Sequence, residues 1–334
     1  MKKVVRKHFY SNYTFSVRPF TSKQEKTFVR IIEHLEDGIP VFEALSNEIR
    51  VKIINLLLHN HRMNMNDIAV ALGLPKSTLT PHIKKLIAAG LVSTDLISET
   101  RGTQKVCRLS EDKLIVNITP EIAVQKVYET ELDAGQFSDC SILPTCGLST
   151  VEKVIGDGFD DPRFFHLPER FNASVIWFTQ GYVEYTVANM VSVTEEPVEL
   201  QIFVELCSEA PGVISYHPSD INFIINGINL GYWTSPGELF DRKGRYTPQW
   251  WFTNFPQYGI MKVLTVNETG TYLDGLFLSP VTIHQLNLKK SPSFTFRLEV
   301  PSDAKNVGGL TLFGKKFGDY ESGIRLRLLC SNKN

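Results

Sequence analysis

The sequence predicts an α+β multidomain fold: an N-terminal helical unit carrying a β-hairpin, joined to an all-β sandwich. Three observations predict it. The length of 334 residues favours about two domains at roughly 150 residues each. The hydrophobic period changes along the chain, from helical spacing before Gly90 to short strand-like runs after it. The charge divides the same way. Residues 1–118 carry 18 Lys and Arg against 11 Asp and Glu, a net +7, whereas residues 119–334 are net −8. Domains of 1–118 and 119–334 follow, the first suited to a polyanion and the second to another task.

The elements can be justified in order. A helix at about 22–36 would put Phe28, Ile31, Ile32 and Leu35 on one face. A second, at about 41–59, carries Ile49, Ile53, Leu56 and Leu57 at core spacing. A third, at about 65–72, carries Ile68 and Leu72 and ends at Gly73. A fourth, at about 77–89, carries Leu79, Ile83, Leu86 and Ile87 and ends at Gly90. Pro81 costs little if Thr78 caps this helix, and kinks it if the helix starts earlier. Leu91–Ser98 and Lys105–Ser110 then flank a polar tip containing Gly102, a hairpin signal.

From residue 119 nearly everything reads as strand: Val175–Phe178, Tyr182–Val187, Val198–Leu206, Ile221–Ile225, Phe294–Val300 and Ile324–Leu329. Asn226-Gly227, Ser235-Pro236-Gly237 and Gly308-Gly309 are turn signals between them. Many short strands at such spacing predict a jelly-roll sandwich. The boundary near Asn117–Pro120 is tight, which predicts rigid coupling of the two domains.

Helix, link, helix, tight turn, helix and hairpin is the order of a winged helix-turn-helix. The stretch Ala44-Leu45-Ser46-Asn47-Glu48-Ile49-Arg50, the run Asp67-Ile68-Ala69 with Leu72-Gly73-Leu74, and Ser77-Thr78-Leu79-Thr80 with His82-Ile83-Lys84-Lys85-Leu86 resemble the ArsR-type regulators. Ala88-Ala89-Gly90-Leu91-Val92 resembles the entry to their wing. The resemblance covers about residues 41–110 and implies DNA binding by a transcriptional regulator. Lys76, Ser77, Thr78, Thr80, His82, Lys84 and Lys85 lie off the apolar face of the fourth helix, where short hydroxyls can reach base edges. Lys84, Lys85, Arg101 and Lys105 suit phosphate contacts. The metal-sensing members place cysteines in the helix before the turn. Asn66–Leu72 holds no Cys or His, so metal sensing fails at that site.

The second half offers a candidate effector domain. The stretch 226–251 holds three of the four tryptophans, Trp233, Trp250 and Trp251, with Asp241, Arg242, Arg245 and Tyr246. Asp220, Lys305 and Asn306 add polar groups from other loops. Flat aromatics beside charged and amide groups are what a sugar site needs. Two adjacent tryptophans on a strand point to opposite faces, so at most one of Trp250 and Trp251 would line a pocket. Pro144-Thr145-Cys146-Gly147-Leu148, Asp160-Asp161-Pro162-Arg163, Gly181-Tyr182-Val183-Glu184-Tyr185 and the 226–251 stretch resemble regulators that fuse an ArsR-type head to a jelly roll. That resemblance implies carbohydrate-linked control, with repression relieved by ligand.

Two alternatives stand beside this reading. The sandwich could be only a dimerisation scaffold. It could also be a glycosidase, with Glu184, Glu199, Glu205, Asp220, Glu238 and Asp241 as available carboxylates. A helix-turn-helix would be superfluous on such an enzyme, so no catalysis is expected. The partners expected are operator DNA, a small effector and a second copy of the chain, with no cofactor and no metal. Cys140 and Cys146 are spaced unlike zinc ligands and read as buried thiols. Five scattered cysteines, no apolar run long enough for a membrane span and no secretory h-region after Met1–Arg6 predict a cytoplasmic protein. The basic, aromatic stretch Lys2–Phe20 suits packing against the rest of the protein better than a free arm.

Overall fold

A computed structural model of the chain describes residues 28–32, 35–60, 62–99, 102–116, 118, 126–209, 216–237 and 239–332. The N-terminal unit runs β1 (Phe28–Ile32), α1 (Leu35–Leu45), α2 (Glu48–Asn60), β2 (Arg62–Asn64), α3 (Met65–Leu72), α4 (Lys76–Ala88), β3 (Val92–Glu99), β4 (Gly102–Leu109) and β5 (Glu111–Val116). Ile53, Leu57, Ile68, Leu79, Ile83 and Leu86 form its core, each essentially fully buried. They are the positions that the helical period selects, so the burial follows the sequence directly. The order β2-β4-β3 makes the wing a three-stranded sheet behind α4.

Three sequence expectations need correction. The helix expected at 22–36 is a strand at Phe28–Ile32, within the part of that span that is described. Its apolar spacing satisfied both periods, and the β-branched Val29, Ile31 and Ile32 favour the extended chain. β1 pairs in parallel with β5, Ile31 opposite Ile115 and Ile32 opposite Val116. The single helix expected at 41–59 is two helices that break at Ser46-Asn47. Asn47 Oδ1 accepts the Arg50 N–H at 3.3 Å, opening α2. The buried Arg50 guanidinium donates to the carbonyls of Ala44 at 2.6 Å and Glu43 at 2.7 Å, closing α1. Lastly, α4 starts at Lys76 after Pro75, so Thr78 is not its cap, and the helix runs on through Pro81 to Ala88.

The second unit is all β: β6 (Lys126–Leu132), β7 (Asp139–Ser149), β8 (Val175–Ala188), β9 (Glu195–Cys207), β10 (Ser219–Ile225), β11 (Ile228–Ser235), β12 (Ile260–Asn267), β13 (Gly270–Leu273), β14 (Leu276–Ser279), β15 (Ser293–Val300), β16 (Leu310–Phe313) and β17 (Ile324–Asn332). The hydrogen-bonded order is β11-β10-β15-β8-β16-β9-β12-β13-β14, with β7 also on β8, and β17 carrying β6 on β9. The short β16 bridges β8 and β9, so one continuous sheet folds into a sandwich. Ile176 and Phe178, then Val183, Tyr185 and Val187 of β8, share one core with Leu200, Ile202 and Val204 of β9.

The units meet through the β1–β5 ribbon. One of its faces gives Ile32, Leu114 and Val116 to the helical core. The other gives Ile31 and Ile115 to Phe203, Met261 and Val263 on the outer face of the sandwich. Lys113 Nζ reaches the Met261 carbonyl at 3.1 Å and the Asp274 carboxylate, which Lys262 also holds. Burial alone would raise the Asp274 carboxyl, but hydrogen bonds from the two ammonium groups hold it below the usual carboxylate range. The linker expectation at 117–120 falls largely on residues outside those described, as does the reading of Lys2–Phe20.

Candidate nucleic-acid interface and the junction behind it

The turn between α3 and α4 is built from local chemistry. Asn64 caps α3, its side chain accepting the N–H groups of Asn66 at 2.8 Å and Asp67 at 3.0 Å. Gly73 ends α3 in the left-handed region at φ 65°, a conformation that favours glycine. Pro75 then sets the start of α4 with its fixed φ of −61°.

α4 buries Leu79, Ile83 and Leu86 and turns its other faces outward. Lys76, Ser77, Thr78, Lys84 and Lys85 are exposed, and Thr80 and His82 are half-buried. The Thr80 hydroxyl donates to the Lys76 carbonyl at 2.8 Å, so it meets a base edge only as an acceptor while that bond holds. Lys105 is exposed on β4 of the wing, and Arg101 lies outside the described residues. Sequence reading missed a cationic pair at the base of the wing. Arg62 sits opposite Arg108 in the β2–β4 register, and Arg108 is held by Asp95 at 3.1 Å. Only the pairing of β2 with β4 brings these two together, and a three-residue strand leaves little periodic signal.

The far end of α4 is tied to the ribbon. Arg30 Nη1 donates to the Ala89 carbonyl at 2.9 Å, directly after the last turn of the helix. Gly90 follows at φ 75°, where a Cβ would come within 3.2 Å of the same guanidinium. The strand that touches the sandwich through Ile31 thus also holds the end of the exposed helix.

The expected effector residues fall into three separate groups. Asp220 accepts from the Thr234 hydroxyl at 2.7 Å and from the Asn306 backbone at 3.0 Å; burial would raise its carboxyl, but these hydrogen bonds, with Lys305 nearby, hold it below its ordinary value. Trp233 lies one register step away on β11, 4.6 Å beneath Lys262. In the second group Arg242 pairs with Asp319 at 2.5 Å and lies over the Tyr258 ring, whose hydroxyl donates to Asp241. The Arg245 N–H also goes to Asp319, and the Tyr246 N–H to the Gly318 carbonyl. In the third group Trp251 is buried among Trp177, Phe255 and Phe317. Trp250 is more exposed and donates its indole N–H to the Val151 carbonyl at 2.8 Å.

The carboxylates weighed for hydrolysis are also engaged by the protein. Glu184 pairs with Arg297 at 2.9 Å, and Glu199 accepts from Gln201 at 2.6 Å. Glu205 is buried and accepts three backbone N–H groups, from Gly259, Asp319 and Tyr320. Burial, with the Asp319 charge beside it, pushes Glu205 up to about 8. Glu238 lies outside the described residues. Cys146 is buried and Cys140 partly so; burial, with Asp160 and Asp161 nearby, pushes the Cys146 thiol up to about 12. Among the described residues no group of His, Cys, Asp and Glu is placed to hold a metal ion, and no helix is long and apolar enough to cross a membrane.

A cleft of about 650 Å³ lies at the junction, lined by Ile31, Ile115, Val116 and Ile118 on one side and by Glu199, Gln201, Val263, Thr265, Asn267, Thr269, Tyr272 and Gly275 on the other. None of the expected effector residues lines it.

Comparison with known proteins places the first unit. A family model for winged helix-turn-helix DNA-binding matches residues 46–93. An uncharacterized HTH-type transcriptional regulator of Methanocaldococcus jannaschii is 34% identical over 97 residues, which is 29% of this chain and 98% of that protein. Among solved structures, HlyU from Vibrio cholerae N16961 is 26% identical, over 23% of this chain and 77% of that one, at a TM-score of 0.20. The CBM36-1 domain of a xylanase from the hindgut metagenome of Trinervitermes trinervoides is 10% identical, over 62% of this chain and 99% of that one, at a TM-score of 0.27.

Proposed function

The chain belongs to the HTH-type DNA-binding transcriptional regulators, and on that premise we propose that it is an effector-responsive repressor. α4 enters the major groove, with Ser77 and Thr78 at base edges and Lys84, Lys85 and Lys105 on phosphates. The protein acts as a homodimer, whose two α4 helices meet successive major grooves about 34 Å apart on a near-palindromic operator. The sandwich senses a small effector of the carbohydrate class and carries out no catalysis of its own.

One observation supports the responsive part above all. The β1–β5 ribbon contacts the sandwich through Ile31, Ile115 and Lys113, and the end of α4 through Arg30. A change at the sandwich therefore has a direct mechanical route to the DNA-reading helix. An effector shifts DNA affinity only by binding one arrangement of the two units better than the other.

The test begins by selecting an operator from random duplexes with the full chain. Replacing Thr78, Thr80 and Lys84 together by alanine should abolish binding to that operator while the circular dichroism spectrum is unchanged. Retained specific binding would place the reading helix elsewhere. Operator affinity is then measured with and without each sugar that raises the melting temperature. A ligand at about 100 times its Kd adds roughly 2.7 kcal/mol, a shift that a melt resolves. DNA binding that no sugar alters would leave the sandwich as a dimerisation scaffold.

A further inference from the structure

We propose that the effector seat is the cleft between the β1–β5 ribbon and the outer face of the β9–β12–β13 sheet, and that its occupant is a small, neutral saccharide. This rests on the effector-responsive reading above and goes beyond it by placing the ligand at the junction, away from the Trp-rich stretch.

The volume comes first. About 650 Å³ falls within the range of small-molecule sites, roughly 300–1,000 Å³. The chemistry comes second. One wall is aliphatic and is supplied by Ile31 and Ile115 of the ribbon. The other carries polar groups beside Val263 and comes from neighbouring strands: Gln201 on β9 faces Thr265 on β12, which faces Tyr272 on β13. A pyranose or furanose has the same two characters, a C–H face and an edge of hydroxyls.

The polar wall is pre-set. Gln201 is 4% exposed although it alternates with the core residues Leu200 and Ile202, and Arg327 lies opposite it on β17. Its carbonyl oxygen accepts from Arg327 at 2.8 Å, and its amide donates to Glu199 at 2.6 Å. The amide is thereby oriented and retains a second N–H. A donor held in place costs little entropy on binding. Among the described residues the lining holds no Lys or Arg, and its single carboxylate, Glu199, is engaged by Gln201. A neutral, hydroxyl-rich ligand suits this lining, and an anion does not.

The position comes third. An occupant touches Ile31 and Ile115 on one face of the ribbon, and the other face holds α4 through Arg30 and the helical core through Ile32 and Leu114. An occupant of the cleft bears on the ribbon beside its contacts with Phe203, Met261 and Val263, and so on the placement of α4.

The test uses the full chain with xylose, glucose, cellobiose and maltose as probes. At least one should raise the melting temperature. In hydrogen exchange on the unaltered protein, that sugar should protect amides within 113–116 and 263–275. Thr265→Trp should raise the sugar concentration needed for half the shift at least tenfold. Arg30→Ala should keep the sugar-induced melting shift but lose the sugar effect on operator affinity. A sugar that raises the melting temperature but protects only 219–235 or 241–258 overturns the cleft and leaves the sensor reading standing. No shift with any of the four sugars overturns both.

Discussion

Arg50 is a cation in a helical core, 7% exposed, and its guanidinium closes the carbonyl end of α1. Removing it leaves the buried Ala44 carbonyl and the part-buried Glu43 carbonyl without their charged donor, at a cost of about 2–3 kcal/mol. Arg50→Ala should lower the urea midpoint of the helical unit accordingly. Arg50→Lys should recover little, because one ammonium cannot reproduce the guanidinium fork. Loss of less than about 0.5 kcal/mol in Arg50→Ala would show that water replaces the donor there. Glu205 illustrates the opposite situation, an acid held where its charge is unwelcome. Its folded pKa lies above the unfolded one, so the folded state binds the proton more tightly. Stability contributed by that proton is full below the ordinary carboxylate range and is lost as pH rises through about 8. Glu205→Gln cannot ionise, and its urea midpoint should be flatter between pH 5 and 9 than that of the unaltered chain. An equal decline in both proteins would assign the pH dependence to another group.

At the scale of elements, α4 contains its own test. Pro81 lies in the second turn and supplies no N–H to the Ser77 carbonyl. Pro81→Ala restores that bond and should raise stability by about 1–3 kcal/mol, read from the thermal midpoint. A fall would mean that the proline ring packs favourably where it stands. Lys84→Ala and Lys85→Ala should each reduce the magnitude of the salt slope of operator binding by about 0.9 if each neutralises one phosphate. The helices of this unit were legible because Ile68, Leu79, Ile83 and Leu86 repeat at helical spacing and glycines end the runs. β1 was not, because five residues satisfy two periods and the partner that decides between them lies at 111–116. The sandwich was legible as a class through alternation, as in β15, where every second residue is buried. The partners of the 226–251 stretch were not legible for a related reason. Its charges and rings are taken up by Asp319, Tyr258 and Val151, and no local pattern announces partners so distant in sequence.

At the scale of the molecule, two units of opposite charge share one small joint. Lys113 and Lys262 on the Asp274 carboxylate are its polar part. The folded pKa of Asp274 is depressed, so its contribution is present above the unfolded carboxylate pKa and fades as pH falls through the folded value. Lys113→Met should therefore split a single calorimetric transition into two at neutral pH, and acidification should do the same to the unaltered chain. One undivided transition in the variant would mean that the apolar contacts of Ile31 and Ile115 suffice. The parallel ribbon has a consequence for the order of folding. Its two strands are the first and last elements of the winged unit, separated by everything from α1 to β4. Pairing across a loop that long is slower than pairing neighbours unless the chain inside it is already compact. Low contact order favours assembly of the winged unit first, with the ribbon then pairing across its two ends to complete the face that meets the sandwich. The face that docks on the sandwich thus depends on the pairing of two strands that the folded winged unit holds together.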